Sequence, residues 1–326
     1  MNMNRRQWLY AGACSGLGLA LPRTAGAQAA YPSRPITFVV PFTAGGGGDM
    51  VARLMARYLG ERLKTPVVVE NKAGAGGTIG SAHVLRSPPD GYTLLNMSSS
   101  YAMQAATTLV PFDPVRDVQP ILMVSRDPGV ILVHASSKLR TGKDLYQAAK
   151  QNPGRLTYGS AGIGTIAHLG MESLAYNMGV QMQHVPYKGS SQAFNDLLSG
   201  SIDLMLTTST YGASFVKSGR AHALGICGAE RTDVLPQVPT FVEQGWPGYV
   251  LYDWKAIGGP AGMPADVVQI LNKALNDVLA LDAVKEKFRA DGVAIVGGSP
   301  EVLAKALREE IGAWKELVKR ANVVVQ

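Results

Sequence analysis

Apolar and polar positions follow two rhythms along this chain. Short unbroken apolar runs predict buried strands at residues 36–40, 67–70, 93–97, 130–134, 156–158, 182–186, 204–207, 223–227 and 255–258. Between them, apolar residues recur at helical spacing. In residues 50–63, for example, Val51, Leu54, Met55, Leu59 and Leu63 share one face. Helices are expected likewise at 79–86, 142–151, 165–178, 190–199, 266–280 and 301–321. Alternating strands and helices argue for an α/β protein with mostly parallel sheets. The pattern restarts near residue 130, giving two half-chains with the same strand–loop–helix grammar and no short repeat.

Length and composition narrow this picture. The chain has 326 residues, enough for two domains. It is 46% hydrophobic and 17% charged, which argues for a folded protein. The formal charge is +7, but Arg5, Arg6 and Arg23 lie in an acid-free stretch of 27 residues, leaving +4 elsewhere. That excess is spread without a basic block. It gives weak support for small anions and little for nucleic acid.

Residues 1–27 read as a cleavable export signal. Asn4-Arg5-Arg6-Gln7-Trp8-Leu9 has a twin-arginine character, a short Ala/Gly/Leu run follows, and Ala25-Gly26-Ala27 is a small-residue cleavage site before Gln28. The apolar run is short for a membrane anchor. A mature periplasmic protein is therefore expected, by either the general or the twin-arginine route. Without Cys14, the mature chain keeps only Cys227, which excludes an internal disulfide and a cysteine metal cluster. Cys227 follows the apolar run 223–226 and is expected to be a buried, inert thiol.

The chemistry concentrates in two glycine-rich loops. Pro41-Phe42-Thr43-Ala44-Gly45-Gly46-Gly47-Gly48-Asp49 follows the first strand, and Gly159-Ser160-Ala161-Gly162-Ile163-Gly164-Thr165 follows the strand at 156–158. Each stands between a strand and a helix. Small side chains let a ligand reach the backbone, and a helix N-terminus offers unpaired N–H groups with a partial positive charge. Each loop is a candidate anion site, and together they suggest a cleft gripping a small acid from both sides. Asp49 is expected to cap the first helix.

Other constellations are weaker. Gly162-x-Gly164-x-x-Ala167 has the form of a dinucleotide fingerprint, but the next strand ends at His184-Val185-Pro186-Tyr187 without the ribose-binding acid. Tyr158 stands where a nucleophile elbow needs glycine. The five histidines show no zinc spacing. His168 reads as structural or as a catalytic group, Lys188 as a solvated side chain or a partner for a ligand carboxylate, and Trp254 as a cleft wall or a packing residue. A binding protein and an enzyme acting on a small acid through His168 or Lys188 are the competing classes. No metal or cofactor is called for.

Taken in order, the motifs resemble the Bug receptor family, the periplasmic solute-binding proteins of tripartite tricarboxylate transporters. The similarity runs from about Tyr31 to Ala321. It rests on Tyr31-Pro32-Ser33-Arg34-Pro35-Ile36, Pro41-Phe42-x-x-Gly45-Gly46-x-x-Asp49, Val69-Glu70-Asn71-Lys72-x-Gly74-Ala75-Gly76-Gly77, and Pro89-Asp90-Gly91-Tyr92-Thr93-Leu94. It continues through Phe112-Asp113-Pro114-Val115-Arg116-Asp117, the second glycine loop with His168, His184-Val185-Pro186-Tyr187-Lys188-Gly189, Gly200-x-Ile202-Asp203 and Pro236-x-Val238-Pro239-Thr240.

The resemblance implies a type II periplasmic-binding-protein fold: two α/β domains joined by two crossover strands, with the ligand cleft between them. Domain 1 would comprise 28–130 and 254–326, and domain 2 would comprise 131–253. Phe42, Thr43, Ala44, Gly45 and Gly46 would form one jaw. Ser160, Ala161, Gly162, Gly164 and Thr165 would form the other, with Ser98 and Lys188 adding ligand contacts. The implied role is capture of a small organic carboxylate by a soluble monomer, for delivery to transporter membrane subunits or a sensor. Three positions depart from the family pattern: Gly48 replaces a hydroxyl residue, Ser98-Ser99-Ser100-Tyr101 replaces Thr-Ser-Gly, and Lys255-Ala256 follows Trp254. A Lys255 facing the cleft would favour a second acidic group on the ligand.

Overall fold

A computed structural model describes residues 31–107 and 110–320. The expected export signal at 1–27 lies outside these residues. From Arg34 onward the chain runs β1 (Ile36–Val40), α1 (Gly47–Leu63), β2 (Val67–Asn71), α2 (Thr78–Leu85), β3 (Thr93–Ser98), α3 (Ser99–Thr107) and the long β4 (Val118–His134). It continues with α4 (Gly142–Gln151), β5 (Thr157–Ser160), α5 (Ile166–Met178), β6 (Gln183–Pro186), α6 (Ser190–Ser199), β7 (Leu204–Thr208), α7 (Ser209–Lys217) and β8 (Ala221–Ile226). It closes with β9 (Tyr252–Pro260), α8 (Ala265–Ala280), α9 (Asp282–Asp291), β10 (Ala294–Ile295) and α10 (Pro300–Arg320).

The strands are hydrogen-bonded in the order β2-β1-β3-β9-β4-β7-β5-β6, with β8 and β10 also pairing with β4. Two groups are visible. In the first, β1 lies parallel between β2 and β3, and β3 meets β9 antiparallel. In the second, β5 lies parallel between β6 and β7, while β7 and β8 flank the end of β4 antiparallel. Strand β4 belongs to both groups. Its first part pairs with β9 from Val118↔Pro260 to Pro128↔Tyr252, and its last part pairs with β7 and β8. The chain thus crosses between the groups at the end of β4's first part and again just before β9. The crossings are tied together by Gly129 N–H donating to Leu251 O at 3.1 Å and Leu251 N–H donating to Cys227 O at 2.6 Å.

Alternation of side chains explains why the strands are continuously apolar. In β4, Ile131 and Val133 enter one core with Leu204 and Leu206 of β7. Val130 and Leu132 point the other way, into a second core with Met205, Phe194 and Leu197. Both faces are covered, as a parallel-type sheet requires. The first group has its own core of Val39, Leu95, Met97 and Trp254, against which α10 lays Leu303 and Leu307. The C-terminal helix therefore returns to the N-terminal strands. Trp254 is 0% exposed. Its indole N–H donates to Glu310 Oε2 at 2.6 Å, so it is a packing residue. Cys227 is buried, and that burial pushes its thiol up to about 12.

The elements differ from the pattern-based expectation at the polar segments. The strand expected at 130–134 is the end of a 17-residue strand. Its first part carries Pro120, Ser125, Asp127 and Pro128 and reads as a loop; β9 sustains it by pairing along its length. Helices α3, α7 and α9 were not expected. The first two begin directly after a strand, at Ser99 and Ser209. Helix α9 buries only Val284 and Phe288, too few for a clear helical stripe.

Candidate functional site

A chamber of about 90 Å³ lies between the two strand groups. On one side stand Gly47 and Gly48, the first residues of α1. On the other stand Thr165, the N-cap of α5, and Ile166 and Ala167 of its first turn. Neither N-cap residue, Gly46 or Thr165, caps its helix through its own side chain, and at α5 only the first N–H, that of Ile166, is met by a side chain among the described residues, Ser100 Oγ. Two helix N-termini thus face one small space from opposite sides, placing partial positive charge and backbone donors there. Asn96, Ser98 and Ser100 supply a polar side wall, Ser190 and Thr208 another, and Asp253 and Lys255 of β9 the floor.

Asp49 braces the first loop rather than capping the helix start. It sits at the third position of α1 and accepts from Gly45 N–H at 3.0 Å, Arg53 Nε at 2.9 Å and Asn71 Nδ2 at 2.9 Å. Burial opposes its charge, but the bonds from Arg53, Gly45 and Asn71 outweigh burial and hold its pKa below the usual carboxylate value. Asn71 also donates to Phe42 O at 3.0 Å, so a single carboxylate–amide pair holds both ends of the loop.

The second loop is supported from behind. Ser160 is buried, donates to Gly162 O at 3.0 Å and accepts from Gly162 N–H at 3.1 Å, while His184 Nε2 lies 2.6 Å from its hydroxyl. Thr165 Oγ1 donates to the same Gly162 O at 2.7 Å. His168 Nδ1 accepts from Gly164 N–H at 3.2 Å, which requires that nitrogen to be unprotonated. The His168 and His184 rings stack at 4.1 Å. Burial lowers His168 to about 4, and burial together with His168 lowers His184 to about 3. Both are neutral supports at neutral pH.

The two sides meet around the chamber. A Cβ on Gly189 would come within 1.9 Å of Thr43 Oγ1, and one on Gly162 within 3.2 Å of Gly76 Cα. Gly162 also has φ +122, which strongly favours glycine. Ser191 Oγ donates to Ala44 O at 3.2 Å, and Ile166 N–H donates to Ser100 Oγ at 3.1 Å. Where the chain crosses, Asp127 and Asp253 are direct partners across β4 and β9. Asp127 accepts from Ser209 Oγ at 2.7 Å at the start of α7. Asp253 accepts from Ser99 N–H at 3.3 Å at the start of α3 and pairs with Lys255 Nζ. Burial, offset in part by Ser209 and Thr210, raises Asp127 to about 6.

Among the residues picked out from sequence, Phe42, Thr43, Gly46, Ser98, Ala161 and Thr165 line the chamber. The structure does not bring the others to its wall. Ala44 and Gly45 are exposed at the turn, and Ser160, Gly162 and Gly164 form the loop's internal bonding. Lys188 is exposed, its backbone N–H donating to Gln192 Oε1 at 3.3 Å. Ser100 lies in the serine stretch noted as a departure, whereas sequence reasoning passed over Asn96, Ser190, Thr208 and Asp253. Only Asp253 carried a usable signal, as an acid two residues before Lys255 beside the buried Trp254.

Two α/β groups joined by paired crossing strands, with a small chamber at facing helix N-termini, define a solute-binding protein of the type II periplasmic-binding-protein fold. Residues 51–323 match the family described as the tripartite tricarboxylate transporter family receptor, and the chain belongs to that family. It is similar to Protein BugT of Bordetella pertussis, with 35% identity over 99% of both chains. The solved periplasmic binding protein BugD superposes with a TM-score of 0.86 at 35% identity, covering 90% of this chain and 99% of that one. A protein of R. palustris solved with adipate superposes with a TM-score of 0.86 at 32% identity, covering 90% and 98%.

Proposed function

We propose that this protein is a periplasmic receptor that captures a small organic carboxylate in the chamber and presents it to transporter membrane subunits or to a sensor. The observation that carries this reading is the convergence of the α1 and α5 N-termini on one space. A carboxylate there accepts backbone N–H groups and meets two partial positive charges, while Lys255 on the floor is paired with Asp253. The adipate bound by the R. palustris relative is of the same chemical class. The ligand contacts are Phe42, Thr43, Gly46, Ser98, Ala161 and Thr165, with Asn96, Ser100, Ser190 and Lys255 beside them. Residues 28–130 with 254–326, and residues 131–253, act as two domains that close about the crossing strands. Among the described residues no helix is long and apolar enough to cross a membrane. The export signal expected at 1–27 supports the periplasmic assignment.

A thermal-shift screen with di- and tricarboxylates, aromatic and aliphatic acids, amino acids, NAD and ATP tests the reading. A ligand at a hundred times its Kd stabilises the fold by about 2.7 kcal/mol. Stabilisation by nucleotides alone would defeat the proposal. Incubation with the acid that binds, followed by product analysis, decides between receptor and enzyme. The receptor returns the acid unchanged, because the Ser160–His184 pair is spent on holding the loop.

A further inference from the structure

The chamber is not the whole cavity. A second space of about 580 Å³ adjoins it, and Gly47, Thr208, Asp253 and Lys255 line both. Its walls are Met50 and Leu54 of α1, Tyr211 of α7 and Phe288 of α9. Met50 is 48% exposed, an apolar side chain left uncovered on a helix that otherwise buries its apolar face. The outer space is about six times the inner one, and the two share Asp253 and Lys255 at the floor.

Charge decides what fits there. The cations lining the two spaces are Arg53, Arg57, Lys255 and Lys287, and a carboxylate already matches each of them. Arg53 pairs with Asp49 at 2.9 Å, Arg57 with Glu61 at 3.3 Å, Lys287 with Asp291 at 2.7 Å, and Lys255 with Asp253. Lys255 does face the cleft, but it is neutralised there. A second ligand carboxylate at the floor would have to draw Lys255 off Asp253, leaving a buried acid beside Asp127 and loosening the start of α3; the other three pairs are half-exposed at the rim. An apolar group incurs no such cost and covers Met50, Leu54 and Tyr211.

We infer that the ligand is a monocarboxylate with a bulky apolar body, of the arylalkanoate or medium-chain type. Its carboxylate occupies the inner chamber and its body the outer one; Gly47 and Thr208, which stand close together here, part to admit it. This rests on the carboxylate-receptor reading and narrows it.

Titration calorimetry on the purified protein with acetate, succinate, malate, phenylacetate, 4-phenylbutyrate and octanoate tests it. Each buried methylene contributes roughly fourfold, so 4-phenylbutyrate or octanoate should bind at least tenfold tighter than acetate, succinate or malate. Ser214 is exposed on α7 and lines the outer space, so Ser214→Trp fills that space from its edge. The preference for 4-phenylbutyrate over acetate should fall by about tenfold or more, the equivalent of two lost methylenes. If Ser214→Trp melts early, Met50→Trp makes the same test from α1. Tighter binding of succinate or malate, or an unmoved preference in the folded variants, overturns this inference and leaves the receptor reading standing. Binding of none of these acids overturns both.

Discussion

At the scale of single residues, the site works through groups that other side chains hold in place. Thr165 caps nothing, but its hydroxyl fixes Gly162 O at 2.7 Å while lining the chamber. Thr165→Val should therefore lower ligand-free stability by about 1 kcal/mol, the scale of that one hydrogen bond, and weaken carboxylate binding by freeing the loop that lines the chamber. Calorimetry checks this, and an unchanged Kd would remove Thr165 from the site. The stacked His168 and His184 make a second prediction. Both have folded pKa values below the ordinary value of about 6.5, so the unfolded chain takes up protons first as pH falls. Their contribution to stability is complete above pH 6.5 and is lost as pH drops toward about 4 and then about 3. Melting temperatures across pH 4–7 should fall on the acid side, and His184→Gln should flatten that slope. An equally steep slope in the variant would assign it to other groups.

At the scale of elements, α10 is the piece whose placement is hardest to foresee, because it comes last in the chain and packs on the first strands. Trp254 and Glu310 join it to β9. Burial raises Glu310 to about 7, above an ordinary carboxyl, so the folded state holds its proton longer than the unfolded state does. That contribution is present at low pH and is lost as pH rises through about 7. Glu310→Gln keeps an acceptor for the indole and removes the charge. The variant should melt higher than the parent at pH 8 and gain nothing at pH 5. A gain at both pH values would point to packing instead. Other elements were read closely from pattern: β1, α4 and α6 fall where periodicity puts them. The missed helices α3 and α7 start where Asp253 and Asp127 accept hydrogen bonds from their first turns. Those acids lie far away in sequence, so no local window contains the signal.

At the scale of the whole molecule, the two strand groups approach most closely where glycine leaves room, as at Gly189 and Gly162. Gly189 has φ −173, an extended conformation open to any residue, so substitution there acts through space rather than strain. Gly189→Ala places a methyl group against Thr43 Oγ1 and should hold the two sides apart. Ligand affinity should drop by tenfold or more, equivalent to about 1.4 kcal/mol, while the ligand-free melting temperature stays near that of the parent. Small-angle scattering should show the parent, but not the variant, contracting on ligand addition. Contraction in both would mean that the Gly189–Thr43 contact does not limit closure.

The amino-acid order alone determined the α/β class, most strand and helix positions and the two glycine loops, because hydrophobic period and glycine clusters are local properties. The ordered motifs carried the family. Tertiary structure decided which loop residues reach the chamber. Ser160 and Gly162 turn inward to bond each other, whereas Asn96, Ser190 and Thr208 arrive from distant elements. It also decided the meaning of Lys255, since its charge near the ligand depends on Asp253 being bonded to it across one turn of the strand pleat. Electrostatic balance in a buried site is a sum over neighbours in space, and that sum exists only once the chain is folded.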